Sequence, residues 1–303
     1  MKGRNDSAPK KKLGLSRKQA VALAVVALFI VSSVSVISIA FFKPKPVFFS
    51  VNAVIIDELA LDSPNSTFVK TVNTMLTRSG FNVSYVCNKS VTVDFFSELA
   101  KDNYGIIILR THTAMREQGK TVDIFTSQPY SGSLYAQDQN ENPPLLVEGN
   151  FNNSESNGYF AITSEFINDL DGSFPKSIIF MMGCWSLMPG YEQVAQAFIS
   201  KGAAVCTGWS NMVLPGDTDS ETIKLIGAMV QGSDVGSAVL ETQPQSYFEG
   251  NSTITSKVGF YPTTASGLTL SYLLSETRNS AGLEAMVPKV IVVKKGWTIS
   301  LFA

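Results

Sequence analysis

Between residues 47 and 249 short apolar runs alternate with stretches of helical periodicity, and this alternation constrains the fold more than any other feature of the chain. Runs such as "GIIIL" and "IIFMM" are apolar on both faces of a strand, so each must be covered from both sides. Strands separated by helices pair in parallel, because the helix carries the chain back across the sheet. The sequence therefore predicts an α/β fold, a three-layer α/β/α sandwich around a mostly parallel sheet.

The order of elements is legible along the chain. "VFFSVNAVIID" reads as a first strand, and residues 64–79 place Phe68, Val72, Met75 and Leu76 on one helical face before Gly80 closes the helix. "NVSYVC" is a second strand, "VTVDFFSELAKD" a helix and "GIIILRTH" a third strand. Residues 113–175, rich in Asn, Gly and Ser, read as an insertion with a hairpin near "KTVDIFTS" and a short helix at "SEFINDL". The alternation resumes with "KSIIFMMGC" as a fourth strand, "YEQVAQAFISKG" as a helix and "AAVCTGW" as a fifth strand. "DTDSETIKLIGAMVQG" and "SDVGSAVLET" are two more helices, the second capped by Ser233 or Asp234. Residues 250–303 have strand-like composition and fit either added strands of the same domain or a small β unit; no internal repeat runs through the chain.

The first 46 residues have a different character. Residues 1–19 form a basic tail, and residues 20–42, "AVALAVVALFIVSSVSVISIAFF", carry no charge. At about 1.5 Å per residue that run reaches roughly 35 Å, enough to cross a hydrocarbon core. The basic tail places the N-terminus in the cytoplasm and everything after the "KPKP" spacer at 43–46 outside it, as a single-pass anchor. A cleaved signal peptide is the alternative, since Ser38-Ile39-Ala40 has the small-x-small spacing, but its apolar region would exceed the usual 7–15 residues or so. Five Asn-x-Ser/Thr sequons, at Asn65, Asn82, Asn88, Asn152 and Asn251, accord with an outside location.

A net charge of -1 with a pI near 5.9 offers no basic face on the folded part for nucleic acid, so none is expected as a partner. The cysteines, Cys87, Cys184 and Cys206, are odd in number and widely spaced, which is not a disulfide framework. With the only histidine, His112, they lack the C-x-x-C pair of a zinc site, and a 2-1-3-4-5 strand order would hold Cys87 far from Cys206. "MVQGSDVGSA" lacks the preceding strand that a nucleotide loop requires. No metal or other cofactor is expected.

In open parallel sheets ligands bind beyond the carboxyl ends of the strands. His112 ends the third strand and Cys184 the fourth, so neighbouring strands would bring an imidazole and a thiol to one edge. Singly, a histidine at a strand end serves structure and a buried cysteine behaves as a small hydrophobe. Together they make a nucleophile with its base. The N–H groups of Cys184 and of Thr113, just past the histidine, are candidates for an oxyanion hole.

"YGIIILRTHTA", a long insertion, "SIIFMMGCWSLMPGYEQVAQAFISKGAAVCTGWS" and "IKLIGAMVQGSDVGSAVLE" together resemble the caspase-like cysteine peptidases, the group of caspases, gingipains, separases and CHAT domains, nearest its CHAT and gingipain-like members. The resemblance covers residues 47–242. It implies His112 as base, Cys184 as nucleophile and a peptide or protein as substrate. Asp217 and Asp219 are candidates to line a pocket for a basic side chain, with helix capping as their other reading. The chain departs from the family pattern at Thr113, where a glycine usually follows the histidine, and at Gly183, where many members have a small or acidic residue. Such departures suit either a divergent peptidase or a surface binding protein that keeps the fold without the chemistry, and the insertion at 113–175 also suits an autoinhibited precursor.

Overall fold

The computed structural model describes residues 48–116, 120–150, 158–250 and 252–280. The basic tail, the 20–42 run, the 43–46 spacer, the segment after 280 and the sequons at Asn152 and Asn251 lie outside them. Among the described residues no helix is long and apolar enough to cross a membrane. All of them belong to one compact unit, Val47–Ala303.

The protein is a mixed α/β fold around a six-stranded, largely parallel sheet. Its strands are β1 (Asn52–Asp57), β2 (Asn82–Cys87), β3 (Ile106–Arg110), β8 (Ile178–Met181), β9 (Val205–Trp209) and β12 (Val258–Tyr261), arranged β2-β1-β3-β8-β9-β12. The first five run parallel, and β12 closes the far edge antiparallel to β9. Successive residues of each strand feed opposite cores. Val54, Ile56, Ile107 and Leu109 pack with Phe96, Phe166 and Phe198, whereas Ala53, Ile55, Ile106 and Ile108 pack with Phe68, Leu76 and Leu225. All five residues of β3 are buried, and each fully buried Ile or Leu stabilises the fold by about 1.5–3 kcal/mol.

The helices follow their apolar faces and caps. In α1 (Ser66–Arg78) Phe68, Val72 and Leu76 recur every fourth residue on the buried face, and the Asn65 side chain caps the start by accepting the Phe68 N–H. α2 (Val93–Glu98) and α5 (Gln193–Ser200) cover one face of the sheet, and α6 (Pro215–Val230) packs beside α1 on the other. Asp234, not Ser233, caps α7 (Val235–Leu240).

The stretch expected as an insertion with one hairpin and one short helix is more ordered than that. It builds an antiparallel sheet of order β4-β5-β7-β6 from β4 (Thr113–Arg116), β5 (Thr121–Pro129), β6 (Leu146–Gly149) and β7 (Tyr159–Ile162), with α3 (Ala136–Asn140) and α4 (Ser164–Asp169), the latter at the predicted short helix. Past residue 240, β10 (Gln245–Glu249) and β11 (Ser252–Ser256) form a separate hairpin. "LTLSYLL", strand-like by composition, opens α8 (Leu270–Ser280): Leu270 and Leu273 are both buried at helical spacing, and the Thr269 hydroxyl accepts the Tyr272 N–H.

Candidate active site

β3 and β8 are direct neighbours in parallel register, with Leu109 opposite Met181, so the residues that follow each strand emerge at the same edge of the sheet. His112 and Cys184 both line one small cavity of about 80 Å³ there, with Leu59, Thr111, Met182 and Val213 among its walls.

On the thiol arm the geometry is set by close packing. A β-carbon on Gly183 would lie 2.7 Å from the Thr111 carbonyl oxygen and would run into the Thr113 side chain. Thr113 in turn donates its hydroxyl to the Cys184 carbonyl. The two departures from the family pattern are therefore one matched pair, in which the threonine side chain fills the space that the glycine leaves. Directly after the cysteine, Trp185 turns the chain through a left-handed conformation (φ 54°). It is fastened there by its N–H to the Asn211 carbonyl and its indole Nε1 to Asn211 Oδ1, both at 2.9 Å. The Cys184 Sγ meets the main chain of Val213, donating to the carbonyl and accepting from the N–H, each at 3.4 Å. Burial pushes the Cys184 thiol up from its ordinary pKa, and the Val213 N–H opposes that only in part. At rest the sulfur is a thiol.

On the imidazole arm the geometry is set by charge. His112 Nε2 lies 2.9 Å from Asp62 Oδ2, and an Nε2–H donated to that carboxylate puts the ring's lone pair on Nδ1. The His112 backbone N–H donates to Glu58 Oε2 at 2.8 Å. Glu58 is buried, and desolvation pushes its carboxyl up to about 8 against the pull of that N–H, with Asp62 and Asp57 adding to the rise. One residue back, Arg110 is fully buried and meets Asp57 at 2.7 Å, Asp219 at 2.7 and 2.8 Å and the Ser63 carbonyl at 2.8 Å. Tyr85 Oη donates to Asp57 and Asn65 Nδ2 to Asp219. This network ties the ends of β1 and β3 to the starts of α1 and α6.

Asp219 therefore does not line a substrate pocket: it is 2% exposed, and both its oxygens are taken by Arg110. Asp217 is half-buried and accepts the Tyr247 hydroxyl at 2.7 Å. Neither caps α6, which starts at Pro215, so both lie inside its first turns. Thr113, expected to lend its N–H to an oxyanion hole, sits at the start of β4 opposite Ile124. Cys206 is buried in β9, where desolvation drives its thiol far up, and three strands separate it from Cys87 on β2.

The sequence reading missed Asp62, Glu58 and Arg110. A signal for the first two was present in "IIDELALD", where one acid ends a buried strand and two more follow it at the edge where sites form. Arg110 within "LRTH" was visible as a charge at the end of an apolar run, a position that demands buried partners. No model of a known protein family matches the chain, and no curated protein matches it in sequence.

Proposed function

We propose that the chain is a membrane-anchored cysteine endopeptidase of caspase-like fold, held outside the cytoplasm by the 20–42 segment and acting without a bound cofactor. The observation that carries this reading is that the only imidazole and a half-buried thiol line one cavity at the carboxyl edge of neighbouring parallel strands.

In this mechanism His112 Nδ1 takes the thiol proton as Cys184 Sγ attacks the carbonyl carbon of the scissile peptide bond. The N–H groups of Cys184 and Thr113 receive the oxyanion, and Asp62 stabilises the imidazolium that forms. Collapse of the tetrahedral species breaks the C–N bond, and the departing amine takes the proton from His112. Water then loses a proton to His112 as it attacks the thioester, which releases the acid and restores the thiol. Proton transfer of this kind contributes about 10²–10⁴-fold to the rate.

A second reading, a binding protein that keeps the fold without the chemistry, is favoured by the thiol's two bonds to Val213 and its raised pKa. The two readings separate when the full-length chain in detergent is offered a peptide library and a thiol-reactive peptide. The peptidase reading expects cleavage and covalent labelling that both vanish in Cys184→Ala; labelling that persists there, or that sits on Cys206, overturns it.

A further inference from the structure

β2 is the outer strand of the six-stranded sheet, and among the described residues nothing pairs with its free side. The Asn82 N–H points inward to the Val51 carbonyl, so the alternate residues Val83 and Tyr85 turn their main-chain groups outward. Proteins ordinarily blunt such an edge with a charge, a proline or a bulge. "NVSYVC" has none of these: it is uncharged, contains no proline and pairs with β1 in unbroken register from Asn82 to Cys87. Left bare, it has the composition of a strand that recruits another chain.

What the strand has instead is a sequon at each end. Asn82 opens it and Asn88 follows it, about 20 Å apart at roughly 3.3 Å per residue. Both asparagines are exposed, and so are Ser84 and Ser90, which complete their sequons. Their amide nitrogens are lightly held, Asn82 Nδ2 by Asn52 Oδ1 at 3.3 Å and Asn88 Nδ2 by the Cys87 sulfur at 3.5 Å. An amide nitrogen carries two hydrogens, so each still has one to exchange for a sugar. Asn65, the third described sequon, is engaged at both ends of its amide. Its Oδ1 caps α1, and its Nδ2 donates at 2.8 Å to Asp219, the buried partner of Arg110. A sugar on that nitrogen would be driven into a buried ion pair.

Resting on the placement outside the cytoplasm argued above, we propose that Asn82 and Asn88 are N-glycosylated, that Asn65 is not, and that the two glycans keep the free edge of β2 from pairing with a second chain. In each modification Nδ2 attacks the anomeric carbon of a lipid-linked oligosaccharide. A C–N bond forms, the sugar–phosphate C–O bond breaks, and the amide gives up one proton as the lipid phosphate leaves.

The test uses full-length protein purified in detergent from the membranes of an N-glycosylating host, with glycopeptides mapped by mass after enzymatic release, which turns each glycosylated asparagine into aspartate. Conversion is expected at Asn82 and Asn88 and not at Asn65. By light scattering, Asn82→Gln with Asn88→Gln should at least double the particle mass at concentrations where the glycosylated chain keeps one size. Ser84→Lys with Asn88→Gln also lacks both glycans but puts a charge on the strand, and it should return the original mass. Asn65 converted, Asn82 or Asn88 unconverted, or a double Gln variant of unchanged mass overturns the inference. An impermeant amine label on intact cells separates its failure from that of the placement. Unconverted asparagines on a chain whose folded part is labelled overturn this inference alone; a folded part that is never labelled overturns the placement as well.

Discussion

The carboxyl ends of β3 and β8 deliver the two candidate reacting groups to the same cavity, yet they are held by opposite means. Around the end of β3, Arg110 and His112 are fixed by the carboxylates of Asp57, Asp62 and Asp219 and by the buried carboxyl group of Glu58. Around the end of β8, Gly183 and Cys184 are fixed by the volume of Thr113, by the Val213 main chain and by the Trp185 clasp on Asn211, with no charge involved. The imidazole arm thus depends on pH and on charge balance, whereas the thiol arm depends on packing. A neutral sulfur and a charge-supported imidazole also suit a proton that moves only during attack.

Substitutions on each arm can break or sharpen that contrast. The largest effect is expected from Arg110→Met, which strands Asp57 and Asp219 in the interior; a loss of about 3–5 kcal/mol should appear in chemical unfolding. Next comes Glu58. Its folded pKa of about 8 exceeds the ordinary 4.5, so the unfolded chain loses the Glu58 proton first as pH rises. Stability should therefore fall from about pH 4.5 to about pH 8 and then level off, by up to roughly 5 kcal/mol, and Glu58→Gln should flatten that slope. Gly183→Ala, on the packing arm, should cost about 1–3 kcal/mol with no pH dependence, and Thr113→Ala in the same chain should return part of it in a double-mutant cycle. Smallest in stability is Asp62→Asn: the carboxylate is 57% exposed, so unfolding should shift by less than about 0.5 kcal/mol while peptide turnover drops roughly tenfold.

The contrast also explains what could be read in advance. Strand ends and neighbour order were legible because unbroken apolar runs with intervening helices admit few sheets, and "GIIILRTH" and "SIIFMMGC" are such runs. The charge network was not, because Arg110 gains its partners from β1, from the start of α1 and from α6, which meet only in three dimensions. Asp219 read as a pocket acid or a helix cap for the same reason. The four-stranded sheet within residues 113–175 was hidden by polar composition: seven of the nine residues of "TVDIFTSQP" are buried, including Asp123 in a bond with Arg116. In "LTLSYLL" both periods fit the leucines, and burial of Leu270 with Leu273 decides for the helix.

The central claim, that the imidazole activates the thiol across their shared cavity, is tested most directly by the pH dependence of Cys184 modification by a peptide electrophile, in the native chain and in His112→Asn. If the pair acts together, the native rate at pH 7 should exceed the variant's by about 100-fold, and the gap should close as pH climbs past the thiol's own raised pKa. Superimposable profiles, both rising only in strong alkali, would contradict it.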